Sequence, residues 1–466
     1  MSPPRNPSTA SNADSGVDFP PSSSKYFSSE YSPLDIAIQE NAIRAIRSPH
    51  ETEPKESKVK IAIGLLKNFI GVKDLASVRM SLPSQLLEPI GNLEYWTYLD
   101  RPDFAAIIGD SDDPLERMLA TIRFNFSKDL KFVKGRLFKP YNSILGEQFH
   151  CTWEVPSAQL DSSTGEYIKL AHVSDQSLSY SEAEEATAPR HNFTCIIEQT
   201  SHHPPVSGYA YWCEEKGILV HGIDQIATQF VVTAGTVRVG AGEHNKGLFI
   251  RLTKRDEEEY HCTHPIGYVH GWFKSSLYIT MGDTVVISCA KTGLKAIVEY
   301  KEERLFGKPK FLVEGLVFRY DPSNETEVNI RKLKQVPDDR VVATIDGSWH
   351  EKVWVTTCDG DRRLLVDLSI LYPVPKIVRP IEEQGHLESR RVWKEVTSHI
   401  FAREYNLATQ AKVMLEERQR KKAAELKERN EVHQPLFFQL PFRDGRVELT
   451  AAGKEVLFNG KSPAQI

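Results

Sequence analysis

The chain has 466 residues, 58 basic against 63 acidic side chains and a net charge of −5, enough for roughly two or three average domains or one large β structure. That balance offers no broad positive face for tracking a nucleic acid. Six cysteines stand without a Cys-x-x-Cys spacing, mostly inside strand-like runs, which points to a reducing, cytosolic setting. No N-terminal signal pattern and no apolar run of about twenty residues occurs, so the chain is expected neither to be secreted nor to span a bilayer.

Residues 1–24 are rich in Ser, Pro and Asn and poor in large apolar groups, and are expected to form a disordered tail before an extension and linker over 25–56. Within it, 33–47 reads as a short helix, with Pro33 near its start and Ile38, Ala42 and Ile46 on one side; 49–57 is a charged linker. Over 59–70, Val59, Ala62, Ile63, Leu66, Phe69 and Ile70 share one helical face that Ile61 and Leu65 widen, leaving Lys60, Gly64 and Lys67 as a narrow polar stripe. Such a helix is either a core element or a cover over something apolar. Helices continue to about 128, where Asp113 with Pro114 signals a start and Leu115, Met118, Leu119, Ile122 and Phe126 form the buried face.

From Phe149 to Asp367 the texture changes to short β-branched and aromatic runs separated by Gly, Asp, Asn and Pro; 209–213, 230–233, 277–280, 284–288, 296–300, 311–318 and 352–355 are examples. Many strands at short spacing predict an antiparallel barrel or sandwich, and so many in one block suggest a barrel wide enough to hold a ligand. After Pro380 the chain reverts to helix, ending in a charged segment from Asn406 to about Arg429 that reads as a surface helix packed on one side.

Three separated clusters could meet at one anionic ligand. His202 and His203 follow the apolar run 193–197, at a strand end where Pro204-Pro205 is expected to stop the ladder. The turn-rich stretch 139–147 offers an ammonium at Lys139 and an amide at Asn142. Lys412, Glu416 and Arg420 recur every four residues, which stacks them along one helix face, either as a solvated ion-pair ladder or as two cations held in place for a phosphate.

The octapeptide Glu198-Gln199-Thr200-Ser201-His202-His203-Pro204-Pro205 resembles the fingerprint of the oxysterol-binding protein-related family. Lys139-Pro140-Tyr141-Asn142-Ser143-Ile144-Leu145-Gly146-Glu147 and Lys412/Glu416/Arg420 resemble two further family motifs, in the same order; Ser143 stands where the family usually has Pro, and Thr200 where it often has Val. The resemblance spans about residues 57–430, with 431–466 left as a C-terminal extension. It implies a mostly β, α+β fold: a large incomplete antiparallel β-barrel enclosing a lipid tunnel, with a lid at about 58–83 and a C-terminal helical segment. It also implies that Lys139, Asn142, His202, His203, Lys412, Glu416 and Arg420 bind the headgroup of phosphatidylinositol 4-phosphate, with Ile63, Leu66, Phe69, Ile70, Leu82 and Leu86 on the lid and tunnel. A second lipid, sterol or phosphatidylserine, would share the tunnel and be exchanged between membranes, without a cofactor and through peripheral membrane contact. Residues 26–30 faintly resemble a tract that recruits endoplasmic-reticulum receptors.

Each exposed CH₂ costs about 0.8 kcal/mol, so two long acyl chains in water would cost on the order of 20 kcal/mol, and an enclosed tunnel answers that cost. A phosphate dianion beside the histidines should raise their pKa, so affinity is expected to fall as pH rises above neutrality.

The rivals are a lipid sensor that binds without transfer, and an enzyme. Against metal or general-base chemistry, adjacent strand residues are expected to point to opposite faces, separating His202 from His203. His261-Cys262-Thr263-His264 is a weaker metal pattern, since Tyr260 and Cys262 fit an alternating strand. Gly240-Ala241-Gly242 reads as a hairpin turn. Gly460-Lys461-Ser462 lacks the first glycine of a phosphate loop, because Glu455 occupies its place.

Overall fold

The computed structural model describes residues 26, 30–47, 87–135, 137–231, 236–270, 278–301 and 310–465. The expected tail, the charged linker, the 59–70 helix and the lid and tunnel residues Ile63, Leu66, Phe69, Ile70, Leu82 and Leu86 lie outside them.

The first helix runs Pro33–Arg47 and buries Ile38 and Ile46, as its periodicity predicts, together with Ile43, while Ala42 is only partly buried. Its buried polar residues tie it to the far end of the chain. Asp35 accepts a hydrogen bond from Ile381 N at 2.9 Å, and Gln39 donates to the Lys376 carbonyl at 2.8 Å. Arg390 donates to Gln39 and forms a buried ion pair with Glu94 at 2.6 Å. The helix Pro114–Ser127 starts as expected: Asp113 accepts from Leu115 N, and Pro114 fills a first-turn position whose N–H would have no partner.

Among the described residues, fifteen strands form one antiparallel sheet. From one edge the order is Arg362–Asp367, Lys352–Thr357, Val341–Ser348, Leu312–Arg319, Leu294–Tyr300, Tyr278–Cys289, Glu258–Cys262, Leu248–Leu252, Ile218–Asp224, Pro205–Cys213, Arg190–His202 and Gln148–Pro156. A branch of Ile266–His270, Thr236–Ala241 and Ile226–Val231 leaves from the first half of Tyr278–Cys289. The runs 277–280 and 284–288, read as two strands, therefore belong to one. Gly282 and Asp283 sit where that strand changes partner: Gly282 pairs with Ile266, Asp283 pairs with Tyr300, and Asp283 takes a φ of 66°. Gly240 and Ala241 likewise close a strand, and the turn begins at Gly242, whose N–H donates to the Gln225 carbonyl.

Alternation along the strands sorts the two faces. Phe149, Cys151, Trp153, Phe193, Cys195, Tyr209, Tyr211, Val285, Ile287, Ala296 and Val298 form one core with Leu99, Phe104, Met118, Leu119, Ile122 and Phe126 of the helical segment. The other face is covered in patches. Ile196, Ala210 and Leu219 pack under Phe437, Phe438, Val456 and Leu457 of the C-terminal segment.

Among the described residues the barrel is incomplete: the end strands Arg362–Asp367 and Gln148–Pro156 do not pair with each other, and the branch ends at a third edge, Ile226–Val231. The Gln148–Pro156 edge is met by Ile377, which exchanges backbone hydrogen bonds with Thr152 at 2.8 and 2.9 Å. The Arg362–Asp367 edge is met by Thr164 and Tyr167, which accept from Leu364 N and Asp367 N.

Candidate anion-binding site

Strand Arg190–His202 reaches the site with a bulge. Gln199 opposes Ser207 but Ser201 opposes Val206, so Thr200 is the extra residue, and its hydroxyl donates to the Val206 carbonyl at 3.2 Å. Gln199 secures the irregularity by donating to the Ser201 carbonyl at 2.6 Å and accepting from Ser207 Oγ at 2.8 Å. Pro204-Pro205 does not stop the ladder, contrary to expectation. His203 and Pro204 form a two-residue turn, Pro205 opens the next strand, and His202 pairs with Pro205.

This geometry also overturns the expectation that the histidines face apart. His203 lies in the turn rather than the strand, and its ring comes within 4.5 Å of the His202 ring, centroid to centroid. His202 is half-buried and His203 exposed, so the tandem rings form one polar surface at the hairpin tip.

The segment 139–147, which opens as the short strand Lys139–Tyr141 and continues as a loop, is held from both sides. Gly146 N donates to the Gln199 carbonyl and Gln199 N to the Glu147 carbonyl, each at 2.8 Å, so the loop is stitched to the histidine strand three positions before His202. On its other flank Tyr141 stacks on Trp393 at 4.5 Å and 18°, and Tyr141 with Ile144 joins a cluster containing Val396, Ala408, Ala411 and Leu415. Those residues belong to the helices Lys394–Phe401 and Tyr405–Glu428. Gly146 needs its φ of 80°, and a Cβ there would meet the His433 ring at 3.0 Å.

Glu147 is the buried post of this arrangement. Its carboxylate accepts from Ile144 N at 2.9 Å, Ser389 Oγ at 2.8 Å and Trp393 Nε1 at 3.1 Å. Burial outweighs those donors and lifts its pKa to about 7. Glu198 does the equivalent on the opposite side of the strand: it accepts from Leu436 N and Phe437 N at 2.8 and 2.7 Å, and burial lifts it to about 7 as well. Both acids stand in the motifs, yet their positioning roles could not be read there. An acid next to an apolar run announces that it needs partners; apart from Ile144 N, the donors lie some 240 residues away.

Lys139 donates to Asn142 Oδ1 at 2.6 Å, so the exposed Asn142 keeps its amide nitrogen as a donor. The Lys139 side chain is solvent-exposed, but protein atoms crowd its ammonium. That crowding, with the neighbouring positive charge of Lys412, lowers its pKa to about 8. Lys139 and Lys412 are therefore electrostatic neighbours. Lys412 is buried and pairs with Glu416 at 2.8 Å, while Glu416 reaches Arg420 at 3.8 Å; Arg420 remains largely exposed. The i, i+4, i+8 row is thus graded from a buried cation to a solvent-facing one on a single helix.

The weaker motifs resolve otherwise. His261 stacks on Phe249 at 4.5 Å and His264 on Tyr98 at 4.7 Å, with buried Tyr260 and Cys262 alternating as expected. Gly460 closes the helix Ala451–Asn459 with a φ of 66°.

Comparison with known proteins agrees with this architecture. The family described as oxysterol-binding protein matches residues 61–408, a span that includes the loop and the tandem histidines and ends before Lys412. The Schizosaccharomyces pombe oxysterol-binding protein-like protein 1 is 40% identical, over 94% of this chain and 98% of that protein. The human oxysterol-binding protein-related protein 11 is 30% identical over 73% of this chain, which spans only 43% of it. Among solved structures, the ORD domain of Osh1 in complex with ergosterol aligns with a TM-score of 0.58 at 16% identity, over 84% of this chain and 87% of that one. The Saccharomyces cerevisiae Osh3 ORD in complex with PI(4)P aligns at 0.54 and 15%, over 86% of this chain and 95% of that one. At such identity the structural likeness speaks to the fold. With more than half its length matched to the family, and with the bulged histidine hairpin and its stitched loop in place, the chain belongs to the oxysterol-binding protein family.

Proposed function

We propose that this protein is a lipid carrier that binds phosphatidylinositol 4-phosphate and, in the same space, a sterol or phosphatidylserine, exchanging the two between membranes. The single observation that supports this most is the doubly fastened loop 139–147. It ties the strand bearing His202 and His203 to the helix bearing Lys412, Glu416 and Arg420, which supports a reading in which segments about 270 residues apart serve one ligand. A phosphomonoester there would meet two ammonium groups, a guanidinium fork, the Asn142 amide and two imidazoles, with Glu416 restraining the cations beforehand. The ligands of the Osh1 and Osh3 domains are in keeping with a shared pocket for a sterol or a phosphoinositide.

The test is transfer between two liposome populations, one loaded with phosphatidylinositol 4-phosphate and the other with sterol or phosphatidylserine. Movement of both lipids in opposite directions, abolished by His202→Ala with His203→Ala, is the expected result. Stoichiometric binding without movement would select the sensor, and hydrolysis of a bound lipid would select an enzyme.

A further inference from the structure

Resting on the headgroup reading above, we infer that the outward stripe of the helix Tyr405–Glu428 is the surface by which the protein seats on an anionic lipid bilayer. Among the described residues, nine large apolar side chains are exposed, and three of them, Leu407 at 43%, Val413 at 37% and Met414 at 57%, lie within eight positions of this one helix. Two helical turns take about seven residues. Leu407, Met414 and Lys421 therefore fall in one row, and Val413 with Arg420 in another about 100° around the helix, with Gln410 and Glu417 between them. The side carrying Ala408, Ala411, Lys412 and Gln419 is buried against the protein.

Charge selects the occupant. Between residues 413 and 422 the helix exposes four cations, Arg418, Arg420, Lys421 and Lys422, and the acid Glu417, while Glu416 is engaged with the buried Lys412. Exposed Leu, Val and Met beside long cationic chains match an interface in which apolar groups enter the acyl boundary while ammonium and guanidinium groups remain at the phosphate level. The two rows also explain why the surface would be here. Val413 shares its direction with Arg420, the outermost cation of the candidate headgroup site, so a bilayer resting on the row presents its phosphates to that cation.

The experiment is co-sedimentation of the full chain with phosphatidylcholine vesicles made with and without phosphatidylglycerol. We expect salt-sensitive association with the phosphatidylglycerol vesicles, weakened at least about tenfold by Met414→Asp or Val413→Asp. Met414→Trp, an aromatic suited to the interface, should strengthen it. None of the three should alter the melting temperature or calorimetric binding of soluble inositol bisphosphate, which reads the headgroup site alone. Loss of that soluble binding in the wild type would sink the headgroup reading, and the vesicle arm would still decide this surface. Wild-type vesicle affinity in Met414→Asp would overturn the inference. So would a gel-filtration dimer that Met414→Asp dissociates, since the stripe would then seat a second copy of the chain.

Discussion

Lys139 is the residue whose ionisation should report ligand arrival. Crowding and the Lys412 charge hold the free ammonium near 8, and an arriving phosphate acts in the opposite direction, raising its pKa and drawing a proton onto the site. The sign follows: binding of a soluble inositol phosphate takes up protons, and affinity falls as pH rises through about 8. Lys139→Arg should remove that falling limb, because a guanidinium stays charged, at some cost in geometry from its larger fork. Calorimetry in buffers of differing ionisation enthalpy measures the proton uptake directly. An unchanged limb in Lys139→Arg would reassign the pH dependence to His202 and His203.

At the scale of elements, the site depends on a loop fastened at two ends, and Glu147 is the common fastening. Glu147→Ala would leave the Ile144 N–H and the Trp393 indole N–H without their acceptor, at about 1–3 kcal/mol for each donor left buried and unpaired. Glu147→Gln preserves most of the pattern. Its amide oxygen can take the position that accepts from Ile144 and Trp393, and its nitrogen can donate to Ser389 Oγ, whose own proton can turn to the Gln148 carbonyl at 3.1 Å. Because burial raises the Glu147 carboxyl from 4.5 to about 7, its contribution to stability is present below about 4.5 and lost as pH climbs through 7. Thermal melts should therefore show wild type losing ground to Glu147→Gln across that window, with Glu147→Ala least stable throughout. Parallel curves for wild type and Glu147→Gln would mean that the carboxyl ionises no differently in the fold. The same element shows where sequence reading succeeds and stops. Period and capping residues place the helices Pro33–Arg47 and Pro114–Ser127, because those signals act within a turn or two. The Thr200 bulge, the turn at His203-Pro204 and the fork at Gly282-Asp283 escape it, because each is decided by a partner strand that local pattern does not name. Motif order makes the site residues legible as a set, whereas their mutual fastening depends on donors hundreds of positions away.

Across the whole molecule, a sheet that never closes on itself needs its edges and outer face covered from elsewhere in the chain. Ile377 and Thr164 meet the edges through backbone hydrogen bonds, and Tyr167 through its side-chain hydroxyl. The outer face beneath the histidine hairpin is met by the last part of the chain. Phe437 and Phe438 are fully buried on Ile196, Ala210 and Leu219; Val456 and Leu457 complete the patch; Arg446 lies 3.9 Å from the Phe249 ring. Gly208 is flat enough for the Phe438 ring to rest on it, since a Cβ there would come within 2.8 Å. Each buried Phe, Val or Leu contributes about 1.5–3 kcal/mol of gross burial energy, and the two backbone donors that hold Glu198 come from the same segment. We therefore propose that residues 431–465 fold as part of the lipid-binding unit. A chain ending at residue 430 should melt at least a few °C lower than the full chain, by roughly the scaling of melting temperature with lost free energy, and should bind dyes that detect exposed apolar surface. Gly208→Val should reproduce much of this in the intact chain, because the added side chain displaces Phe438 from its seat, at about 1–3 kcal/mol. Equal melting temperatures for the truncated and full chains would instead make the segment an appended tail and end the domain near residue 430.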